Sequence, residues 1–272
     1  MTEHWFDTEK GTFYCRRWGR GGRVLIAWHG YGSGGAMFEA LADTLGDIFT
    51  IYAPDLPWHG RTQWRAASYT PEDIVALTEQ LLAHAQVERF SLLGCSFGAR
   101  VALKLLPYAG HQLESLYLLS PDGIHTRWLN VGRKVPKWLR SRLMQRLENP
   151  ERLLHWSRQL HRRGRVPFFV TWFLRKNLRT PESRRRLLGN WRSFDAFVTK
   201  KQAIKRQLAR TVPQVVVIIG SRDQLIKGKS IGRFVRSIPD AQLHVLPCNH
   251  VLKSNEVTDI LRMHATTSPA RL

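Results

Sequence analysis

Cysteine is scarce in this chain: three residues, Cys15, Cys95 and Cys248, among 272. Three thiols make no disulfide framework, and their spacing matches no metal site, so neither cross-links nor structural zinc is expected to hold the fold. Acidic residues are also few, with 21 Asp plus Glu against 42 Lys plus Arg and a formal net charge of +21. No apolar run approaches the ~20 residues needed to cross a bilayer. The amino terminus, from Met1 to Asp7, carries acids and lacks the apolar stretch of a secretory signal. A reducing cytoplasmic location is the expectation from these absences. Internal repeats and low-complexity tracts are missing too. What is present, 43% hydrophobic residues, suffices for one large core with an appended segment.

The most informative residues are Gly94-Cys95-Ser96-Phe97-Gly98, a G-x-S-x-G pattern. Phe90 to Leu93 precedes it and reads as a short buried strand. Arg100 to Leu106 follows and reads as a helix that Pro107 limits. A serine on a tight strand-to-helix turn is forced into strained backbone geometry, with its hydroxyl pushed out above the sheet. Glycines flank it because side chains there would meet neighbouring backbone. A serine in a glycine-rich turn is often only structural. The flanking strand and helix make this one a candidate nucleophile.

A serine hydroxyl needs a base to take its proton, and the base needs an orienting acid. Gln214 to Ile219 is the most strand-like run in the chain, and it ends in Gly220-Ser221-Arg222-Asp223. Ala241 to Leu246 alternates as a strand, and Pro247-Cys248-Asn249-His250 follows it. The order Ser, Asp, His is the one expected when partners follow later strands. A rival acid exists: Asp122, in Ser120-Pro121-Asp122-Gly123, also follows a strand, Leu116 to Leu119. A further strand, Val24 to Trp28, runs into His29-Gly30-Tyr31-Gly32-Ser33-Gly34-Gly35. That glycine-rich loop can turn backbone N–H groups toward an oxyanion, and the expected donors are Tyr31 and Phe97. His29 reads as loop structure beside them. Cys95 and Cys248 read as small buried side chains.

Taken together, these motifs resemble the α/β-hydrolases of the esterase, lipase and C–C hydrolase type, from about Val24 to His250 with one long insertion. Asp55-Leu56-Pro57-Trp58-His59-Gly60-Arg61-Thr62 is similar to the D-x-x-G-x-G-x-S segment of that family. Trp58 stands where a glycine is usual, and Thr62 where a serine is. The resemblance implies Ser96 as nucleophile, His250 as base and Asp223 as acid, because Gly-x-x-Asp followed by apolar Leu225 and Ile226 is the commoner form. Asp122 then reads as a turn residue. It also implies a two-step acyl transfer to water, with no metal and no organic cofactor.

The rest of the chain is consistent with an α/β fold: a mostly parallel, eight-stranded sheet with helices on both faces and an inserted helical cap. Thr12 to Trp18 is expected to close an amino-terminal hairpin turned at Glu9-Lys10-Gly11. Met37 to Leu45 is expected as a helix, and Phe49 to Ala53 as a strand. Thr70-Pro71-Glu72-Asp73 has the residues of a helix start. Ser254 to His264 is expected to be the closing helix, with a frayed tail. The core is assigned to residues 1–122 and 212–272, and the cap to 123–211.

Charge is concentrated in that insertion. Between Gly123 and Thr211 there are 24 Lys plus Arg and 4 Asp plus Glu, leaving 18 basic and 17 acidic residues elsewhere. One insertion helix is expected to turn Trp138, Leu139, Leu143 and Leu147 to one face, with Lys137, Arg140 and Arg146 on others. A second should begin at Thr180-Pro181-Glu182 and carry Leu187, Leu188, Trp191, Phe194 and Val198. Val166 to Leu174 between them is densely apolar. Such a cap suits a merely solvated basic face, an anionic ester or thioester substrate, or peripheral contact with an anionic membrane. Nucleic acid is disfavoured because no binding motif accompanies the charge. The expected function is therefore a serine hydrolase working on a carboxylic ester or thioester. Alternatives are C–C cleavage or elimination by the same residues, or a non-catalytic protein that holds anionic surfaces. Oligomeric state is left open.

Overall fold

The computed structural model describes residues 1–124, 150–166, 168–212, 214–252 and 255–267. Its backbone is organised by one sheet. The chain opens with an antiparallel hairpin, β1 (Thr2–Thr8) and β2 (Gly11–Trp18), in which Thr8 pairs with Gly11. Next come β3 (Arg23–Trp28), α1 (Glu39–Leu45) entered through a 3-10 turn, and β4 (Phe49–Pro54). The two-residue β5 (Gln63–Trp64) pairs with β2. Then follow α2 (Pro71–Ala85), β6 (Phe90–Cys95), α3 (Phe97–Ala109) and β7 (Leu113–Leu119). Strand order is β1-β2-β4-β3-β6-β7 and then β8 (Gln214–Gly220) and β9 (Gln242–Leu246), making nine strands with β5. Along the order β4-β3-β6-β7-β8-β9 every pairing is parallel.

Near-continuous apolar strands are what a sheet covered on both faces requires. Leu25, Ala27, Leu93, Val216 and Ile218 pack toward α1 and the last helix, α9 (Asn255–Thr267), through Leu41, Leu45, Val257 and Leu261. Alternate residues such as Ile26, Trp28, Leu92, Val215 and Val217 are equally buried and face the other way. That second face carries α2 and α3. It also carries α7 (Lys201–Thr211), which packs on α3 with Ile204 and Leu208 buried. A further helix, α8 (Gly228–Val235), lies between the last two strands in sequence. At the start of α2 the Asp73 carboxylate accepts the Thr70 N–H at 2.8 Å, and Pro71 occupies the first turn.

Two expectations about helices are corrected. Pro107 does not end α3, which continues to Ala109 and stops before Gly110 at φ +52°. A proline so near the end removes one backbone bond and leaves the preceding turns intact. The helix expected from Thr180 to Val198 ends at Ser193 and gives way to a 3-10 turn at Phe194–Phe197.

The chain divides into two compact units. One contains the described residues of 1–66, 70–126 and 196–272, the other those of 67–69 and 127–195. The division differs from the expected bounds of 123–211, because α7 packs on α3 of the sheet unit. In the second unit α4 (Glu151–Arg162), α5 (Phe168–Leu178) and α6 (Pro181–Ser193) pack in sequence order. Tyr69 joins them by donating its N–H to Ser193 Oγ at 2.8 Å and its hydroxyl to Asn190 Oδ1 at 3.2 Å. The helix expected around Trp138 to Leu147, with Lys137, Arg140 and Arg146, lies outside the described residues. So do Ser254 and the tail after Thr267. Among the described residues no helix is long and apolar enough to cross a membrane.

One buried ion pair ties α3 to the end of β7. Arg100 Nη2 and Nε donate to the two oxygens of Asp122 at 2.7 and 3.0 Å, and both side chains are almost wholly buried. Removing one partner strands a charge. Arg100→Ala is therefore expected to cost about 3–5 kcal/mol in denaturant unfolding. The double change Arg100→Met with Asp122→Leu should recover most of that loss.

Candidate active site

Ser96 sits between β6 and α3 at φ 51° and ψ −112°, a conformation that L-residues rarely adopt. Three neighbouring strands over-determine it. Its N–H donates to the Leu119 carbonyl at 2.8 Å, and its carbonyl accepts the N–H groups of Ala99 at 3.0 Å and Asp122 at 3.1 Å. A Cβ on Gly94 would strike the Ala99 backbone, and one on Gly98 would strike the Trp28 carbonyl. Both glycines of the motif are therefore required by close backbone approach.

His250 Nε2 lies 2.9 Å from Ser96 Oγ, and His250 Nδ1 lies 2.7 Å from Asp223 Oδ2. The other carboxylate oxygen, Oδ1, accepts the N–H groups of Leu225 at 2.8 Å and Ile226 at 2.9 Å. Burial pulls the Asp223 carboxyl upward. The hydrogen bonds from His250 and from the Ile226 and Leu225 N–H groups outweigh it and hold the carboxyl below the ordinary carboxylate range. An ionised Asp223 only accepts, so the imidazole proton is on Nδ1 and the Nε2 lone pair faces the serine hydroxyl. The acid and histidine loops are joined by backbone. Ser221 N–H donates to the Leu246 carbonyl at 2.7 Å, and Arg222 N–H to the Cys248 carbonyl at 3.0 Å. Gly220 lets the loops cross, because any Cβ there would collide with the carbonyls of Cys248 and Asn249.

Asp122, the rival acid, is engaged elsewhere. Its carboxylate is taken by Arg100 while its backbone N–H holds the Ser96 carbonyl. The structure brings Ser96, His250 and Asp223 together and leaves Asp122 outside that group.

The glycine-rich loop abuts the serine. A Cβ on Gly30 would lie 3.4 Å from Ser96 Cβ, which places Tyr31 one residue from that contact and Phe97 directly after the serine. Two buried histidines brace this loop, and only one was expected to belong to it. His29 Nε2 accepts the Leu56 N–H at 2.9 Å, so its Nδ1 carries the proton and donates to the Gly30 carbonyl at 2.8 Å. His59 repeats the arrangement, accepting the Gly32 N–H at Nε2 (3.0 Å) and donating from Nδ1 to the Pro57 carbonyl (2.9 Å). Buried Asp55 adds a third brace by accepting Gly35 N–H at 2.6 Å and Arg61 N–H at 2.9 Å. The sequence clue to His59 and Asp55 was their place in the D-x-x-G-x-G-like segment. Its departure at Trp58 has a visible consequence: the tryptophan adopts φ 59°, the left-handed conformation that a glycine takes at no steric cost.

The three thiols are free. Burial raises Cys15 and Cys248, and it pushes Cys95 up to about 12, so at neutral pH Cys95 is a small protonated side chain. Among the described residues, no three His, Cys, Asp or Glu side chains gather in a way that can hold a metal ion.

Residues 23–256 match a family model described as alpha/beta hydrolase fold. Among curated proteins, the chain is 36% identical over 120 residues to lipase LipV of Mycobacterium tuberculosis, covering 42% of this chain and 45% of that one. The chain spans less than half the length of the curated relatives it matches. Among solved structures it is similar to a thermophilic esterase from Thermogutta terrifontis, with TM-score 0.70 at 19% identity over 97% of each chain. It is also similar to a meta-cleavage product hydrolase from Pseudomonas fluorescens, with TM-score 0.60 at 21% identity over 94% of this chain and 93% of that one.

The depressed Asp223 carboxyl sets a pH dependence whose sign is fixed. A carboxyl lowered by folding stabilises the protein above its unfolded value of about 3.9, and that contribution is lost as pH falls through the lower folded value. Asp223→Asn is thus expected to be less stable than the parent at neutral pH. The deficit should shrink in denaturant titrations carried below about pH 4.

Proposed function

Because the chain belongs to the α/β-hydrolase family, we propose that it cleaves a carboxylic ester or thioester through an acyl-enzyme on Ser96. The observation that carries this reading is the unbroken hydrogen-bonded path from Ser96 Oγ through His250 to Asp223. His250 Nε2 takes the hydroxyl proton as Ser96 Oγ attacks the substrate carbonyl carbon. Negative charge moves to the carbonyl oxygen, which receives the backbone N–H groups of Tyr31 and Phe97. Each such donor is worth on the order of 2.7–4 kcal/mol in the transition state. The ionised Asp223 stabilises the imidazolium formed meanwhile.

Collapse of the tetrahedral adduct breaks the bond to the alcohol or thiol, which leaves with the proton from His250. Water then repeats the sequence on the acyl-enzyme: His250 takes its proton, the oxyanion forms again, and the acid departs as Ser96 regains its hydrogen. The +20 excess of residues 123–211 favours an anionic or membrane-borne substrate, since a concentrated field of one sign raises the local concentration of the other.

Hydrolysis of p-nitrophenyl esters from acetate to palmitate tests this. Ser96→Ala should abolish turnover, and Asp223→Asn should lower kcat by roughly 10⁴-fold. Ester turnover unaffected by Ser96→Ala would overturn the assignment. No turnover on any ester would move the reading to C–C bond cleavage or elimination, the activity class named for the Pseudomonas fluorescens neighbour being the first to try.

A further inference from the structure

In the second unit α4 and α5 form a helical hairpin. Thr171 Oγ1 donates to the Ser157 carbonyl at 3.3 Å, His161 Nδ1 to the Val166 carbonyl at 2.9 Å, and Gly164 turns the chain at φ +67°. Ser157 on α4 and Asn177 and Leu178 on α5 are buried. Three large aromatic side chains stay substantially exposed: Trp156 is 64% exposed, Phe168 66% and Trp172 44%. The Phe168 ring touches the His161 ring of α4, with centroids 5.6 Å apart, yet all three side chains still present large aromatic surface to water, which does not favour it.

Their neighbours are one-sided in charge. Residues 150–179 contain eight Arg plus Lys and a single acid, Glu151, at the amino end of α4 where the helix dipole favours it. On α4, Arg152, Trp156 and Gln159 share a stripe at helical spacing, which Arg163 continues at the helix end. On α5, Phe168, Trp172, Arg175 and Lys176 do the same, and the Lys176 ammonium lies 5.1 Å from the Trp172 ring centroid. Each stripe mixes exposed aromatics with cations one turn away.

We propose that the α4–α5 hairpin is a docking surface for a bilayer containing anionic phospholipid. It rests on the reading of the basic insertion as a contact for anionic or membrane-borne substrates, and it is independent of the chemistry at Ser96. Exposed Trp and Phe settle at the level of the headgroups and upper acyl chains, while Arg and Lys beside them meet lipid phosphates. Helices of 12 and 11 residues are too short to span. They lie in the interface. A merely solvated basic face would carry the arginines without Trp156, Phe168 and Trp172.

Co-sedimentation of the full chain with phosphatidylcholine vesicles, with and without phosphatidylserine, tests the proposal. The chain should pellet with the mixed vesicles at about 0.1 M salt, much less at about 1 M where charges are screened within about 3 Å, and not with phosphatidylcholine alone. Trp156→Ala, Phe168→Ala and Trp172→Ala combined should reduce the bound fraction at least about tenfold. Should that variant melt below the parent, Arg175→Glu with Lys176→Glu serves in its place and should show the same loss. Ser96→Ala should bind like the parent. No pelleting with the mixed vesicles would overturn the proposal, as would undiminished binding by a folded variant or preferential binding of single-stranded RNA added in competition. Lost ester turnover with intact vesicle binding sinks the hydrolase reading alone, and the reverse result sinks the docking surface alone.

Discussion

The backbone of Ser96 is the constraint on which the rest depends. A side chain at φ 51° does not stay there unaided, since such conformations cost of order 1–3 kcal/mol. It is held because β3, β6 and β7 close around it. Gly98 lies against the Trp28 carbonyl, the Leu119 carbonyl takes the serine N–H, and the Asp122 N–H takes its carbonyl. Asp122 can serve as a clamp because Arg100 neutralises its carboxylate one helical turn along α3. The strained turn and the buried ion pair are thus parts of one device.

The loop opposite the serine is controlled by buried polar atoms more than by packing. His29 and His59 are each fixed in one neutral tautomer by a backbone N–H on one ring nitrogen and a carbonyl on the other. Asp55 adds two more N–H groups. A buried group left unpaired costs about 1–3 kcal/mol, so the bonds at the Gly30 carbonyl and at the Gly32 and Gly35 N–H groups each penalise displacement of the Gly30–Gly35 segment. Trp58, at φ 59°, immediately precedes His59 in the chain.

Electrostatics divides the molecule differently from packing. The sheet unit reaches past the expected boundary to include α7, because Ile204 and Leu208 bury against it. The charge excess runs through the whole of 123–211 regardless. Charge is set by composition and acts over about a Debye length, whereas unit boundaries are set by contacts a few ångströms long.

Local chemistry made much of this legible without coordinates. The strand, turn and helix around Ser96, the Thr70-Pro71 helix start and the parallel sheet follow from periodicity, glycine placement and proline geometry, each confined to a few residues. Chain order also pointed to Ser96, His250 and Asp223. Between Asp122 and Asp223, the latter was preferred only through the resemblance, since both follow strands and both precede turns. Arg100, distant in sequence, captures the first, and the crossing of loops over Gly220 delivers His250 to the second. The role of His59, the left-handed Trp58 and the place of α7 were hidden for the same reason. By itself the sequence determined the elements and the charge, which are local or additive; only tertiary structure decided the partnerships, because each depends on atoms that folding alone brings within hydrogen-bonding distance.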